Sequence, residues 1–413
     1  MAITLEEQPY QYTPVGQRLM IVCSSTNVSN AGFRYVFDFG TFQVNVQPNA
    51  ANKGILDLAP IFREKLQHDA GTAADVDSAK ELSSVALISC TIKEGWLVDG
   101  VFRINAEDEG KEIQNVYAFL AEYQISDGYK PNVNDRYALS DSKKYLLSER
   151  TTDTHKWIEA PARGLSNDWV YIPTRLADFG QLYSISNNGL LVDNDATDLF
   201  VSTYDDSNTL IEATNYTLFT DLNSVTRLGA YPQNLIGAGA DFTNVKYYTI
   251  QAGASILPPI YTPVSRVYCF YLVPDDCRFD NVRLGWTNTC GGVDYFNFTK
   301  KSELSYNYDR KQYQKVVGQY NASTFSFNTF DRGITDRYVN TTKGLQINSD
   351  WVSVGEFNLL QTLCRSNDVF IIGDDATMTP VLVDAQNFVI KDERYSKLYN
   401  VTLNLKYSQP VGL

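Results

Sequence analysis

Period-two alternation of apolar and polar residues dominates the chain, and it is clearest over residues 282–299, VRLGWTNTCGGVDYFNFT. Leu284 and Trp286 share one face. Beyond the turn Thr289-Cys290-Gly291-Gly292, Val293, Tyr295 and Asn297 alternate against Asp294, Phe296 and Phe298. β-Branched and aromatic residues suit a pleated, half-buried surface, and Gly-Gly supplies the positive φ of a tight connection. The pattern predicts a β-hairpin in which Trp286, Gly291, Gly292 and Tyr295 serve folding or subunit contact.

The same reading predicts a strand over 18–28 and a hairpin over 33–48, with Phe33, Tyr35, Phe37 and Phe39 on one face and a reversal at Gly40-Thr41. Asp57 stands ahead of LAPIFREKL, where it could cap a short helix with Pro60 in its first turn. Residues 68–80 are small and polar and read as an exposed loop. Strands follow at 84–93, 96–104 and 116–125, divided by turns at Glu94-Gly95, Asp99-Gly100 and Glu109-Gly110. Residues 126–154 read as loop, and a first domain boundary falls near 155.

Short β segments recur at 169–173, 180–186, 198–204, 209–219, 245–251 and 264–273, with turn signals at Asn187-Asn188-Gly189, Asp205-Asp206 and Ala252-Gly253. That spacing suits a sandwich or barrel. Residues 222–235 give no clear assignment. After the hairpin, 304–317 and 324–330 are strand-like. Residues 353–364 switch to a helical stripe behind a Ser353 to Glu356 capping box. Strands at 369–372, 380–383, 388–392 and 398–407 complete the pattern. The expected fold is mainly β: two or three antiparallel β-sandwich or barrel-like domains with two short helices. The domains run 1–155, 156–275 and 276–413, the last carrying the helix at 354–365.

Length and composition fit this picture. At 413 residues the chain exceeds one ordinary core, and 44% apolar with 20% charged residues is a globular balance. The net charge of −13 disfavours general nucleic-acid binding, which depends on basic residues neutralising phosphates. Six scattered cysteines form no CxxC pair, so neither a zinc module nor a disulfide framework is expected, and buried free thiols are. The opening MAITLEEQPYQY has no basic or apolar signal region, and no run is long enough to span a membrane. The expected product is made in the cytoplasm, and its six Asn-x-Ser/Thr triplets are read as chance.

Catalytic signatures are missing: there is no HExxH, GxSxG, Walker A or strand-turn-helix GxGxxG pattern, and no enzyme activity or cofactor is expected. His68 and His155 sit in polar, loop-like contexts and read as surface residues. Acidic clusters at Glu107-Asp108-Glu109, Asp205-Asp206, Asp275-Asp276 and Asp374-Asp375 lie in turns, which carboxylates stabilise. Asp193-Asn194-Asp195 with Asp198 comes nearest to a calcium loop but lacks the glycine and closing glutamate of an EF-hand, so no metal site is expected. Lys300, Lys301, Arg310, Lys311 and Lys315 interleave with Tyr306, Tyr308 and Tyr313. Three readings compete: a single-stranded nucleic-acid surface, a two-faced strand with tyrosines inward, and basic contacts to an acidic neighbouring subunit. On an acidic chain the two-faced strand is favoured over nucleic-acid binding.

Three stretches together resemble a family of tailed-bacteriophage virion proteins, of the type found in phages of Bacteroidota and in crAss-like phages. They are FRYVFDF with QPN, Gly54 and LDLAPIFREKL; RLGWTNTCGGVDYFNF with the Tyr- and Lys-rich strand behind it; and LLQTLCRSNDVFII, TPVLV and LYNVTLNLKYSQP. The resemblance implies a non-enzymatic tail, baseplate or neck component, similar in role to distal-tail or hub proteins. It further implies a homo-oligomeric ring located in the virion, with other virion proteins as partners. DNA would pass through its lumen without specific binding, because an acidic lumen does not retain phosphates. The alternative is a carbohydrate-binding or receptor-recognition tail protein, using exposed aromatics as sugar platforms.

Overall fold

The structure is a computed structural model. It describes residues 2–9, 12–67, 79–81, 83–106, 109–122, 148–151, 165–166, 168–186, 198–217, 224–257, 260–263, 265–275, 278–330, 333–393 and 398–409. The chain is mainly β, as the alternation predicts. Its first third runs β1 (Ile3–Glu7), β2 (Tyr12–Pro14), β3 (Met20–Ser25), β4 (Arg34–Asp38), β5 (Gln43–Val46), β6 (Lys53–Asp57), α1 (Ala59–Arg63), β7 (Ala79–Glu81), β8 (Val85–Val98), β9 (Val101–Ile104) and β10 (Lys111–Phe119). A three-stranded sheet, β1-β3-β6, and a larger one, β2-β10-β8-β4-β5 with β9 on β8, share one core. Ile21 and Cys23 meet Tyr35, Phe37, Ile88 and Ile92 in it, and Phe62 of α1 closes one end.

The middle of the chain runs β11 (Val170–Thr174), β12 (Gln181–Ser186), β13 (Asp198–Tyr204), β14 (Leu210–Thr217), β15 (Ser224–Gly229), α2 (Pro232–Gly237), β16 (Tyr247–Leu257), β17 (Ile260–Pro263) and β18 (Tyr268–Leu272). The order is β11-β18-β16-β13-β14, with β17 on β16, and β7 reaches across from the first third to complete β12-β15-β7. Two pairings, β2 with β10 and β11 with β18, are parallel where an antiparallel arrangement was expected. The core between these sheets also takes Tyr295, Ile372 and Ala376 from the last third.

That last third runs β19 (Val282–Thr287), β20 (Val293–Phe298), β21 (Glu303–Gln314), β22 (Gln319–Tyr320), β23 (Phe325–Ser326), β24 (Ile334–Val352), α3 (Val354–Leu363), β25 (Val369–Ile372), β26 (Met378–Glu393) and β27 (Leu398–Tyr407). Seven strands form one sheet in the order β20-β19-β25-β26-β27-β24-β21. Leu359, Leu360 and Leu363 of α3 join Trp286, Phe298, Val401 and Leu403 in its core. The helix begins where the sequence places it: Ser353 Oγ accepts from Glu356 N at 3.3 Å, and the Glu356 carboxylate accepts from Ser353 N at 3.2 Å.

Several local expectations differ. Glu94-Gly95 is no turn but part of β8. A Cβ at Gly95 would lie 2.6 Å from the Phe102 ring, so this glycine permits close packing within a strand. Ala252-Gly253 likewise lies inside β16. Asp57 does not cap α1 from the N-cap position, which Leu58 holds; its Oδ1 instead accepts from Leu19 N at 2.9 Å and Ala59 N at 3.0 Å. Residues left without assignment contain β15 and α2, a third helix too short to show a period. β24, which periodicity does not announce, is the longest described strand. The expected loops at 126–147, the calcium-like cluster at 193–195, and His68 and His155 lie outside the described residues.

Among the described residues Cys23, Cys90, Cys269, Cys290 and Cys364 are free thiols, and all but Cys364 are buried. Among the described residues no helix is long and apolar enough to cross a membrane.

Two substitutions test the packing of α3. Ser353→Ala, which removes the cap, should cost about 1 kcal/mol. Leu360→Ala, which empties a fully buried position, should cost roughly 2–5 kcal/mol. Denaturant midpoints read both, and equal losses would contradict the packing described.

Candidate functional site

The β19–β20 hairpin is in the predicted register, from Val282 opposite Phe298 to Thr287 opposite Val293. Its two faces serve different cores. Leu284, Trp286, Phe296 and Phe298 point into the C-terminal core, where Trp286 Nε1 donates to Thr362 Oγ1 at 3.1 Å. Tyr295 points the other way into the middle core, packing edge-on to Tyr231 at 5.0 Å and accepting from Gln181 N at 3.0 Å. A hairpin buried on both faces is a joint rather than a cover.

Its loop makes a third contact. Asn288 Oδ1 accepts from Cys290 N at 2.9 Å and Gly292 N at 3.0 Å, which folds residues 288–292 onto themselves. Of the two glycines only Gly291 has a positive φ, 93°, and a Cβ there would stand 2.4 Å from Leu120 O. Glu122 N donates to Thr289 O at 2.8 Å, so the loop is bound to the segment that follows β10. Cys290 packs with Phe119, Ala121, Tyr183 and Val225. Regions from all three thirds of the chain meet at this turn.

Behind the hairpin lies a buried charge cluster that sequence reasoning missed. Asp178, fully buried, accepts through Oδ2 from Arg283 Nη1 at 3.1 Å, Arg175 N at 2.8 Å, Thr174 Oγ1 at 3.1 Å and Asn297 Nδ2. Its Oδ1 accepts from Arg175 Nε at 3.1 Å. The Arg283 guanidinium packs against the rings of both Tyr231 and Tyr295, at 4.4 and 4.8 Å from their centroids. Arg175 reaches on to Asp374 at 2.9 Å, which ties the β11–β12 connection to the β25–β26 turn. Burial pushes the Asp178 carboxyl up, but Arg283, the backbone N–H and charge of Arg175, and Asn297 together hold it below the ordinary value.

A second buried carboxylate sits at the start of β20. Asp294 accepts from Ser148 Oγ at 2.5 Å, Glu149 N at 2.9 Å and Asn288 Nδ2 at 2.9 Å. Burial raises its pKa, and the Ser148 hydrogen bond and Arg150 charge only partly oppose this. Beside the loop, a cleft of about 170 Å³ opens between Val15, Gly16 and Arg63 on one wall and Asn288, Thr289 and Arg365 on the other. The Arg63 guanidinium donates to the carbonyls of Val15 and Gly16, at 3.0 and 3.1 Å through Nη2. It is therefore committed to holding the wall.

The predicted basic residues lie elsewhere, along a projecting arm. β24 pairs with β27 only from Gly344 onward, whereas residues 334–343 pair with β21 alone. Residues 306–314 and 334–343 therefore leave the sheet as a two-stranded ribbon of roughly 30 Å, from a rise of about 3.3 Å per residue. Every position of β21 is exposed. The tyrosines expected to face inward do not: Tyr308 is 55% exposed and stacks on Tyr306 across 6.5 Å, and neither joins the C-terminal core among the described residues. Further out, Val316 is 84% and Phe330 78% exposed, with Tyr320, Phe325 and Phe327 beside them.

Sequence-predicted residues thus separate into two places. Trp286, Gly291, Gly292 and Tyr295 gather at the joint. Lys300 pairs with Asp350 at 3.1 Å and Lys301 with Glu303 at 2.5 Å at the root of the arm. Arg310 pairs with Asp336 at 2.8 Å, and Lys311 and Lys315 stand exposed along the ribbon. The exposed aromatics of the tip escaped notice because exposure leaves no period. The pairing of Arg283 with Asp178 leaves no local signal because the two lie 105 positions apart.

No protein-family model matches the chain, and no curated protein matches it. Among solved structures the chain is similar to one in the tail of an empty GTA particle, computed with helical refinement in C6 symmetry. The identity is 7% and the TM-score 0.20, over 31% of this chain and 91% of that one. A superposition this weak carries no argument about fold or role.

Two predictions test the joint. Gly291→Ala should destabilise by about 1–3 kcal/mol, since it is both strained in φ and short of space, and should cost more than Gly292→Ala in the same thermal melt. Asp178→Asn should cost roughly 3–5 kcal/mol at neutral pH, because it leaves buried arginines underpaired. A depressed folded-state pKa stabilises above the unfolded value of about 3.9 and loses that contribution as pH falls through the folded value. The gap between wild type and Asp178→Asn should therefore narrow on acidification below about pH 4; a gap that widens would contradict the assignment.

Proposed function

We propose that the chain is a non-enzymatic structural subunit of a tailed-phage virion, a tail, baseplate or neck component that assembles through protein–protein contacts into a homo-oligomeric ring or hub. The observation that carries this reading is the arm at 306–343. It is a two-stranded ribbon with aromatic and aliphatic side chains exposed along its length. An isolated hairpin is marginally stable in water, and a contiguous exposed apolar surface marks an interaction site. A rigid joint at the β19–β20 hairpin supports it, because an assembly subunit must hold its arm in a fixed direction. The three stretches that resemble tailed-phage virion proteins support the same reading, as does an acidic chain suited to a lumen that DNA traverses without retention.

Replacing residues 306–343 by a short glycine-containing turn should leave the melting temperature of the remaining protein nearly unchanged and abolish its incorporation into particles. Mass spectrometry of purified virions reads the result. Normal incorporation of the armless chain would overturn the role of the arm. Absence of the wild-type chain from virions would overturn the proposal, and selective retention on a glycan array would favour the carbohydrate-binding alternative.

A further inference from the structure

We propose that the outer edge of β21 in one copy pairs with the outer edge of β14 in a second copy of this chain, joining copies head to tail. This deepens the assembly reading above and rests on it for its biological setting. β21 is the last strand of the seven-stranded sheet, and β14 is the last strand of the sheet in the middle of the chain. An unpaired edge presents a row of N–H and C=O groups that a second strand can satisfy, so two such edges are a template for strand addition.

Charge selects the partner. Residues 306–343 contain six Lys and Arg against three Asp and Glu, a net of +3, which leaves −16 on the rest of a chain of net −13. Residues 198–217, the β13–β14 hairpin, contain Asp198, Asp205, Asp206 and Glu212 and not one Lys or Arg. A basic ribbon on an acidic chain finds its complement in another copy of that chain. The edge also offers apolar surface, Leu210 being 52% and Ile211 42% exposed, as β21 does through its exposed tyrosines. β1, another edge with carboxylates, is shorter than β14, and its Glu6 is already paired with Lys53.

The two patches are different surfaces, so the contact is heterologous and propagates from copy to copy until the rotation closes a ring. On the arm, Lys311 in β21 and Lys315 just beyond its end are the charges to vary, since Arg310 is engaged with Asp336. On the other side they are Asp206 and Glu212, since Asp205 Oδ1 holds its own turn through Ser207 N and Thr209 N.

The full-length chain is examined by sedimentation velocity over a concentration series, with circular dichroism to confirm that each variant is folded. Lys311→Glu with Lys315→Glu, and separately Asp206→Lys with Glu212→Lys, should each weaken self-association at least about tenfold; the four changes together should restore it. A photo-reactive phenylalanine derivative at position 308 should cross-link to residues 205–217 of a second, isotopically distinct copy. The proposal is overturned by a chain that stays monomeric, by charge swaps without effect or rescue, or by cross-links to another segment. It is equally overturned if the lysine variants lose binding to a single-stranded DNA probe while self-association is unchanged. A monomeric chain whose lysine variants drop out of virions would sink this contact and leave the virion role standing. Swap-and-rescue in a chain absent from virions would do the reverse.

Discussion

Burial of one carboxylate between two arginines ties the middle of the chain to its last third. Asp178 is fully enclosed, and its oxygens accept from Arg175, Arg283, Thr174 and Asn297, groups drawn from the middle and the last third of the sequence. Such a cluster adds little net stability over a hydrophobic replacement, because desolvation offsets attraction. It does penalise every arrangement in which one partner is missing. That penalty fixes how the hairpin sits against the middle core, while the Gly291 turn fixes how it sits against Leu120.

A rigid joint gives the arm its meaning. β24 is anchored in the sheet over Gly344 to Val352 and continues outward with β21, so the ribbon emerges from a sheet whose other end, β20, is held by the buried cluster. The construction separates two tasks: one edge of the sheet is buried and binds the chain to itself, and the other is exposed and free to bind something else. Among the described residues no group of three or more potential ligands could hold a metal, and the cleft beside the loop is lined by an arginine already engaged with backbone carbonyls.

How much of this was legible depended on whether burial left a mark on the residue pattern. The hairpin was readable because Leu284, Trp286, Phe296 and Phe298 must alternate to fill a core, and α3 was readable because Ser353 and Glu356 cap it. β24 was not, since ITDRYVNTT is held by cross-strand pairing in the open and needs no apolar face. The Lys- and Tyr-rich strand alternates as a two-faced strand would, yet every position of it is exposed. At Gly95 the glycine signals a turn in sequence but in the strand lets the Phe102 ring approach the backbone. Asp178 and Arg283 could not be paired in advance, because nothing local links positions so far apart.

The central claim is that residues 306–343 are an assembly arm. A cryo-EM reconstruction of the assembled particle tests it most directly, by locating that segment relative to neighbouring chains. The account predicts the arm packed against an adjacent copy, with the aromatics of β21 covered and the β14 edge of the neighbour paired. An arm left projecting into solvent, or lying along DNA, would contradict it.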